Sequence, residues 1–112
     1  MKFIVAIIKP EMLDAVRDAL SETGVEGMTV TEVRGYGRQR GQVEVYRGVE
    51  YDVQFMPKIK LEIAVSDDGA EEAARVLGEA ARSGRIGDGK IFVCDLLDAV
   101  RIRTGESGSV AL

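Results

Sequence analysis

A glycine-rich stretch with two cations is the segment of this chain best suited to hold an anion. Residues 84–90 read GRIGDGK, and three closely spaced glycines let backbone N–H groups converge on an anion. Arg85 and Lys90 add positive charge. The stretch matches the G-x-x-x-x-G-K part of a phosphate-binding loop, but Ile91 stands where that motif needs Ser or Thr. We therefore predict an anion-binding turn, with a plain helix-to-strand turn as the alternative.

A second pair of cations follows one predicted strand later. Arg101 and Arg103 are two residues apart, so on a strand their side chains share a face. Two adjacent guanidinium groups are unfavourable unless an anion lies between them, and Arg suits bidentate contact with phosphate. Because one strand joins 84–90 to this pair, both cation sets can contribute to a single phosphate site. A solvated edge strand over 100–103 is the alternative.

A long stretch without clear periodicity, 39–57, carries two more candidate segments. Residues 35–41 read GYGRQRG, a weak form of a glycine pattern that lets the backbone approach a ligand. Residues 46–51 read YRGVEY and hold two of the three tyrosines. Exposed Tyr and Arg are typical of surfaces that bind protein partners, and an exposed phenol is accessible to a modifying enzyme. Local packing of these tyrosines is the alternative.

The rest of the chain predicts the elements that position these residues. The apolar run 3–8 predicts a strand buried on both faces, and 28–38 predicts a second strand. Strict alternation over 58–65 predicts a strand with one buried face. Helical spacing follows Pro10 and again precedes Gly84, and Asp67 or Asp68 is expected to cap the second helix. Residues 91–97 predict a fourth strand, and 100–103 a short edge strand.

This order, β-α-β, long loop, β-α-β, predicts the α+β class. It is the ferredoxin-like βαββαβ, or split βαβ, arrangement. Right-handed crossovers place both helices on one face of a four-stranded antiparallel sheet, with the long loop between strands 2 and 3. The other face then lacks a cover, so we expect self-association through it.

Composition excludes several classes of function. The 112 residues form one domain by length. Without histidine, neither Ser-His-Asp nor Cys-His catalysis is available, and one cysteine makes a structural zinc site untenable. A net charge of −4 argues against general nucleic-acid binding. The longest apolar run is far below the ~20 residues of a membrane span. With no signal-peptide pattern and a lone Cys94, we expect a cytoplasmic protein.

Together these motifs resemble one family over the whole length of the chain. Segments 35–39, 46–51, 84–93 and 101–106 occur in the order and spacing of the PII nitrogen-regulatory signal-transduction proteins. The resemblance implies a homotrimer of ferredoxin-like subunits with nucleotide sites in the clefts between subunits. It implies a non-catalytic regulator of nitrogen metabolism that binds ATP or ADP, and binds 2-oxoglutarate together with Mg-ATP. It divides the single domain, 1–112, into a T-loop (about 37–57), a B-loop (about 82–90) and a C-terminal loop (about 101–112).

The resemblance also implies roles for individual residues. For 2-oxoglutarate it implies Gln39, Lys58 and Gly87, and for Mg²⁺ it implies Gln39. For target proteins it implies Tyr46, Arg47 and Tyr51, the last as a site of uridylylation. The implied nucleotide-binding residues are Thr29, Gly35, Gly37, Arg38, Gln39, Gly87, Asp88, Gly89, Lys90, Arg101 and Arg103.

The implied partners are regulatory targets such as an ammonium transporter, an adenylyltransferase, a uridylyltransferase or a sensor kinase. No nucleic acid is expected, and a membrane is reached only through a membrane-protein target. Two other classes share the predicted fold: a nucleotide-processing enzyme and a small-ligand sensor module. The enzyme would have only Asp88, Lys90 or the tyrosines as catalytic groups. An RNA-recognition module would show aromatic residues on its central strands, where this chain is mostly aliphatic.

Overall fold

The computed structural model describes residues 1–37, 43–46, 49–52 and 55–112. The elements, in chain order, are β1 (Lys2–Ile8), α1 (Leu13–Glu22), β2 (Thr29–Gly35), β3 (Val43–Tyr46), β4 (Val49–Asp52), β5 (Met56–Val65), α2 (Asp67–Ala81) and β6 (Gly89–Asp95). Short 3₁₀ turns cover Pro10–Met12 and Gly108–Ala111.

One four-stranded antiparallel sheet organises the fold. Its strand order is β2-β5-β1-β6, so the first and third sheet strands along the chain lie at the centre. The prediction of an α+β, ferredoxin-like βαββαβ fold is confirmed. In the part of the chain that the structure describes, no helix is both long and apolar enough to cross a lipid bilayer.

The hydrophobic core lies between the two helices and one face of this sheet. Both central strands alternate, with every second side chain buried against the helices. The fully or nearly buried residues are Ile4, Ala6, Ile8, Val16, Leu20, Ile59, Leu61, Ile63, Val65, Ala70, Ala73, Leu77 and Ala81. On β1 the strand is confirmed, but Phe3, Val5 and Ile7 on the opposite face are only half-buried, because helices cover one face alone. We call that second face the open face.

The helix boundaries follow local chemistry. Gly24 ends α1 with a φ of +87°, a left-handed conformation that glycine adopts without strain. At α2 the predicted cap is wrong: Ser66 is the N-cap, and its Oγ accepts a hydrogen bond from the Gly69 amide at 3.3 Å. Asp67 and Asp68 lie in the first turn instead, where a carboxylate still interacts favourably with the helix dipole.

Two regions predicted from weak patterns differ in the structure. Within 39–57, β3 and β4 form an antiparallel hairpin, and β5 already begins at Met56. The predicted edge strand over 100–103 is wrong: Val100 forms an isolated bridge with Ser107, and residues 102–104 turn. Alternation between Val100 and Ile102 resembles a strand, but Gly105 and Gly108, with φ of +73° and +76°, reverse the chain there.

Candidate functional site

The glycine-rich loop, residues 84–90, connects α2 to β6 as the sequence predicts. Gly84, Gly87 and Gly89 have φ angles of +82°, +95° and +101°. These values lie in the region that L side chains disfavour, so the loop needs glycine at each of these positions. Left-handed glycines of this kind are typical of turns whose backbone N–H groups converge on an anion.

Close packing against β1 fixes the end of this loop. A Cβ placed on Gly89 would lie 1.7 Å from the carbonyl oxygen of Ile7. Gly89 pairs with Ile8 in the sheet register, and Lys90 pairs with Ile7 on the open face. Lys90 is exposed, so its ammonium group stands beside the loop and is accessible to an anion.

The carboxylate of Asp88 is directed into its own loop. It accepts hydrogen bonds from the amides of Ser83 and Gly84, each at 2.9 Å, and from the Ser83 hydroxyl. Lys9 Nζ lies 3.2 Å from Asp88 Oδ1. The Ser83 hydroxyl, those two amides and Lys9 hold the pKa of the Asp88 carboxyl well below its usual range. Asp88 therefore holds the loop together through its side chain.

Lys58 joins the loop to the sheet. Its Nζ donates a hydrogen bond of 2.5 Å to the Gly87 carbonyl. Gly35 lies beside it, since a Cβ there would come within 3.0 Å of Lys58 Cγ. Gly37 follows shortly after the end of β2. The structure thus brings Gly35, Lys58 and the glycine-rich loop to one end of the sheet.

Thr29 lies at the other end of β2, six residues from Gly35. A strand rises about 3.3 Å per residue, so roughly 20 Å separates the two. Thr29 lines a cleft of about 740 Å³ together with Glu62, Ala64 and the C-terminal Leu112.

Arg101 also belongs to this second end. Its guanidinium group donates to Glu106 Oε1 at 3.1 Å and to the carbonyls of Val110 and Leu112 at 3.1 and 3.3 Å. Arg103 is exposed and makes no ion pair with the residues that the structure describes. Since residues 102–104 form a turn directly after Arg101, the prediction that both side chains share a strand face is wrong.

The two cation sets therefore do not meet within one chain. The strand that joins them, β6, is extended and spans the sheet, so it separates Lys90 from Arg101. The prediction of a single phosphate site within one chain overlooks that an extended strand places its two ends at opposite ends of the sheet.

The remaining predicted site residues lie in the segment between β2 and β5. Tyr46 ends β3 and Tyr51 lies in β4. Arg38, Gln39 and Arg47 lie outside the described residues.

Sequence reasoning missed the polar partners of the loop. Lys9 and Ser83 are 74 residues apart in the chain, yet Lys9 Nζ is 2.9 Å from Ser83 Oγ. No local pattern reports such a pair. A local signal did exist for Ser83 and Asp88, since short polar residues that flank glycines often bond to the backbone of a turn.

Fold and loops together define a class of protein: a small ferredoxin-like domain with a long insertion between two sheet strands and a glycine-rich loop before the last strand. The family model described as Nitrogen regulatory protein P-II matches residues 1–106. The chain belongs to this family, and the resemblance inferred from its motifs is confirmed.

Full-length relatives agree with this assignment. The chain is 57% identical to Nitrogen regulatory protein P-II of Bradyrhizobium diazoefficiens and 56% identical to that of Rhizobium etli. It is 53% identical to Nitrogen regulatory protein GlnK of Escherichia coli. Each match covers 112 residues and the whole of both chains. The protein is therefore a non-catalytic signal-transduction regulator of nitrogen metabolism that acts on target proteins.

Proposed function

We propose that this protein senses ATP or ADP and 2-oxoglutarate, and that it passes the signal to target proteins through the segment 37–57. The observation that carries the proposal is the arrangement at one end of the sheet. There Lys58 contacts the carbonyl of Gly87 in the glycine-rich loop, and Lys90 stands exposed beside it. Gly35, where the chain leaves the sheet for 37–57, adjoins the same lysine.

The donor set of the loop fits a polyphosphate. The backbone N–H groups of a loop with left-handed glycines, together with the exposed ammonium group of Lys90, are suited to phosphate oxygens. Gly87, Gly89 and Lys90 would hold the phosphates. The cleft beside Thr29, with Ala64 and Val65 in its wall, offers apolar surface for a base.

The distance between the cleft beside Thr29 and the glycine-rich loop supports nucleotide sites that are shared between subunits. A cleft at one end of the sheet and a phosphate loop at the other cannot form one site within a chain. A closed ring, in which different surfaces of neighbouring copies meet, brings opposite ends together. The open face supports such a homotrimer, because Phe92 is 49% exposed there and Phe3, Val5 and Ile7 are half-buried. Arg101 and Arg103 would then reach the phosphates held by a neighbouring subunit.

Magnesium would depend mainly on the nucleotide. Among the described residues there is no cluster of three or more acidic, Cys or His side chains able to hold a metal, and both oxygens of Asp88 are already engaged. Mg²⁺ commonly binds substrate phosphates with one or two protein ligands, and the resemblance implies Gln39 as that ligand.

Lys58 would provide the response to 2-oxoglutarate. A carboxylate attracts an ammonium group more strongly than a neutral carbonyl does, because both partners of the hydrogen bond are then charged. Bound 2-oxoglutarate would therefore draw Lys58 away from the Gly87 carbonyl and alter both the glycine-rich loop and the start of 37–57.

We further propose that Tyr46, Arg47 and Tyr51 contact target proteins, and that Tyr51 is uridylylated. Such targets include an ammonium transporter, an adenylyltransferase, a uridylyltransferase or a sensor kinase.

Calorimetry tests the sensing step. We expect 2-oxoglutarate to bind in the presence of Mg-ATP, and to bind at least tenfold more weakly with Mg-ADP or with ATP and a chelator. Lys58→Met should abolish this binding while ATP still binds. Equal affinity for 2-oxoglutarate in all three conditions would refute the role of the metal and the γ-phosphate.

Two further measurements test the shared site. Arg101→Ala and Arg103→Ala should each weaken ATP about tenfold, since a hydrogen bond to a charged group contributes roughly 1.5–3 kcal/mol. Light scattering should give about three times the subunit mass of 12.1 kDa. A monomer at micromolar concentration would exclude sites between subunits.

A further inference from the structure

Three polar side chains tie the glycine-rich loop to the central strand β1. Lys9 follows β1 directly, and its Nζ lies 2.9 Å from Ser83 Oγ and 3.2 Å from Asp88 Oδ1. The side chains of Lys9 and Asp88 are only 16% and 25% exposed. Ser83 Oγ also accepts from the Arg85 amide at 3.2 Å. Lys9, Ser83 and Asp88 thus link the start of the loop, its end and the sheet; we call them the loop anchor.

We propose that the loop anchor fixes the glycine-rich loop in its ligand-ready conformation before any ligand binds, and that Lys9, Ser83 and Asp88 are positioning residues for phosphate. This inference rests on the proposed nucleotide site. It adds two residues, Lys9 and Ser83, and it gives the side chain of Asp88 a role other than direct contact.

Direct contact between the Asp88 carboxylate and phosphate is unfavourable on two grounds. Both carboxylate oxygens are occupied: Oδ2 by the amides of Ser83 and Gly84, and Oδ1 by the Ser83 hydroxyl and Lys9. A carboxylate also repels a polyphosphate. A negative charge in an anion-binding loop therefore needs a compensating benefit, and the ordering of the loop supplies one.

Ordering the loop before binding is beneficial because the loop is rich in glycine. Glycine loses more conformational freedom on ordering than any other residue, so a loop with three left-handed glycines is costly to fix at the moment of binding. Contacts formed beforehand remove this cost from the binding step and raise affinity. Three hydrogen bonds and one ion pair to the Asp88 carboxylate hold the turn that contains Gly84 and Gly87.

Lys9 gives the anchor its connection to the sheet. It neutralises Asp88 and joins the loop to the end of β1, next to the point where Gly89 packs on the Ile7 carbonyl. The loop is thus held at Ile7 of the central strand and at Lys9 just beyond the end of that strand.

The test compares three variants of the full-length protein: Lys9→Met, Ser83→Ala and Asp88→Asn. Positioning predicts that each weakens Mg-ATP about tenfold in calorimetry, whatever the sign of the charge removed. A purely electrostatic effect predicts opposite results, because losing the cation of Lys9 would weaken ATP whereas losing the anion of Asp88 would strengthen it. Ser83→Ala is neutral and reports on the hydrogen bonds alone.

Matched variants separate positioning from general damage. Ser83→Thr keeps the hydroxyl and should restore affinity to within about twofold of wild type. Arg17→Gln removes an exposed cation that pairs with Asp14 and Asp18 on α1, and it should leave ATP binding unchanged. Thermal unfolding of every variant establishes that it is folded.

Amide hydrogen exchange on the ligand-free protein provides a readout that does not depend on nucleotide. The amides of Ser83, Gly84 and Arg85 should exchange faster in the three variants and as in wild type in Ser83→Thr. Unchanged exchange, or an Asp88→Asn variant that binds ATP as well as wild type or better, would overturn the inference. If wild type itself bound no ATP, the proposed function would fail and so would the ligand role of the anchor. The exchange data would still decide whether the anchor orders the loop.

Discussion

Replacing Gly89 by alanine tests how tightly the glycine-rich loop is packed on β1. The new Cβ would lie 1.7 Å from the Ile7 carbonyl oxygen and 2.8 Å from its carbon. Both atoms are backbone in the central strand and cannot rotate away. The chain must therefore move, and the pairing of Gly89 with Ile8 must distort.

The magnitude follows from two effects. A φ of +101° costs an L residue roughly 1–2 kcal/mol, and overpacking against fixed atoms costs typically 1–3 kcal/mol more. We expect Gly89→Ala to lower the free energy of unfolding by about 2–5 kcal/mol. Gly84→Ala is the matched control. Its φ is +82°, but a Cβ there meets no atom within 4 Å among the described residues, so it should lose only about 1–2 kcal/mol.

Urea unfolding followed by circular dichroism measures the difference. Both variants and wild type are compared at one protein concentration, since association changes apparent stability by mass action. Domains of this size are stable by about 5–15 kcal/mol, so Gly89→Ala should remain folded with a clearly lower midpoint. Equal losses in the two variants would refute the close approach to Ile7, and would leave backbone conformation as the whole effect.

Three further outcomes are expected. Leu77→Ala, which empties a fully buried position on α2, should lower the free energy of unfolding by about 2–5 kcal/mol in urea; a loss below ~1 kcal/mol would contradict the core as described. Ser66→Ala should cost about 1 kcal/mol through the lost N-cap, and Asp68→Asn, in the same turn, distinctly less by the same measurement. Asp88 has a folded-state pKa below its ordinary 3.8, so its contribution to stability is complete above that pH and is lost as pH falls below it. Stability curves between pH 2 and 6 should therefore show a shallower acid limb in Asp88→Asn than in wild type.

Much of the fold is predictable because its signals are local. Alternation of Ile59, Leu61, Ile63 and Val65 specifies a strand with one buried face, and the structure buries those four against the helices. Gly24 marks the end of α1 because glycine readily adopts the left-handed conformation in which the chain turns there. Such patterns depend on neighbours two to four residues away, which the sequence displays directly.

Other features depend on competition between neighbouring residues for one role, or on contacts between residues that are far apart in the chain. Ser66 and Asp67 are both good cap residues, and the extended backbone at Ser66 decides between them. Lys9 and Asp88 meet only because β1 and β6 are adjacent in the sheet. The position of Arg101 depends on the turn that follows it and on its ion pair with Glu106. The alternation of Val100 and Ile102 in the sequence reveals neither.

The pairing of Gly35 with Met56 has a consequence for how this molecule can be altered. Residues 36–55 leave and re-enter the sheet at Gly35 and Met56, which are paired in the register of β2 and β5. The two ends of this insertion therefore stay together whatever lies between them. Each doubling of a loop's length adds only about 0.6 kcal/mol of closure entropy. The sheet should therefore tolerate exchanged or lengthened insertions between Gly35 and Met56. It offers a site at which foreign recognition segments can be grafted without redesigning the core.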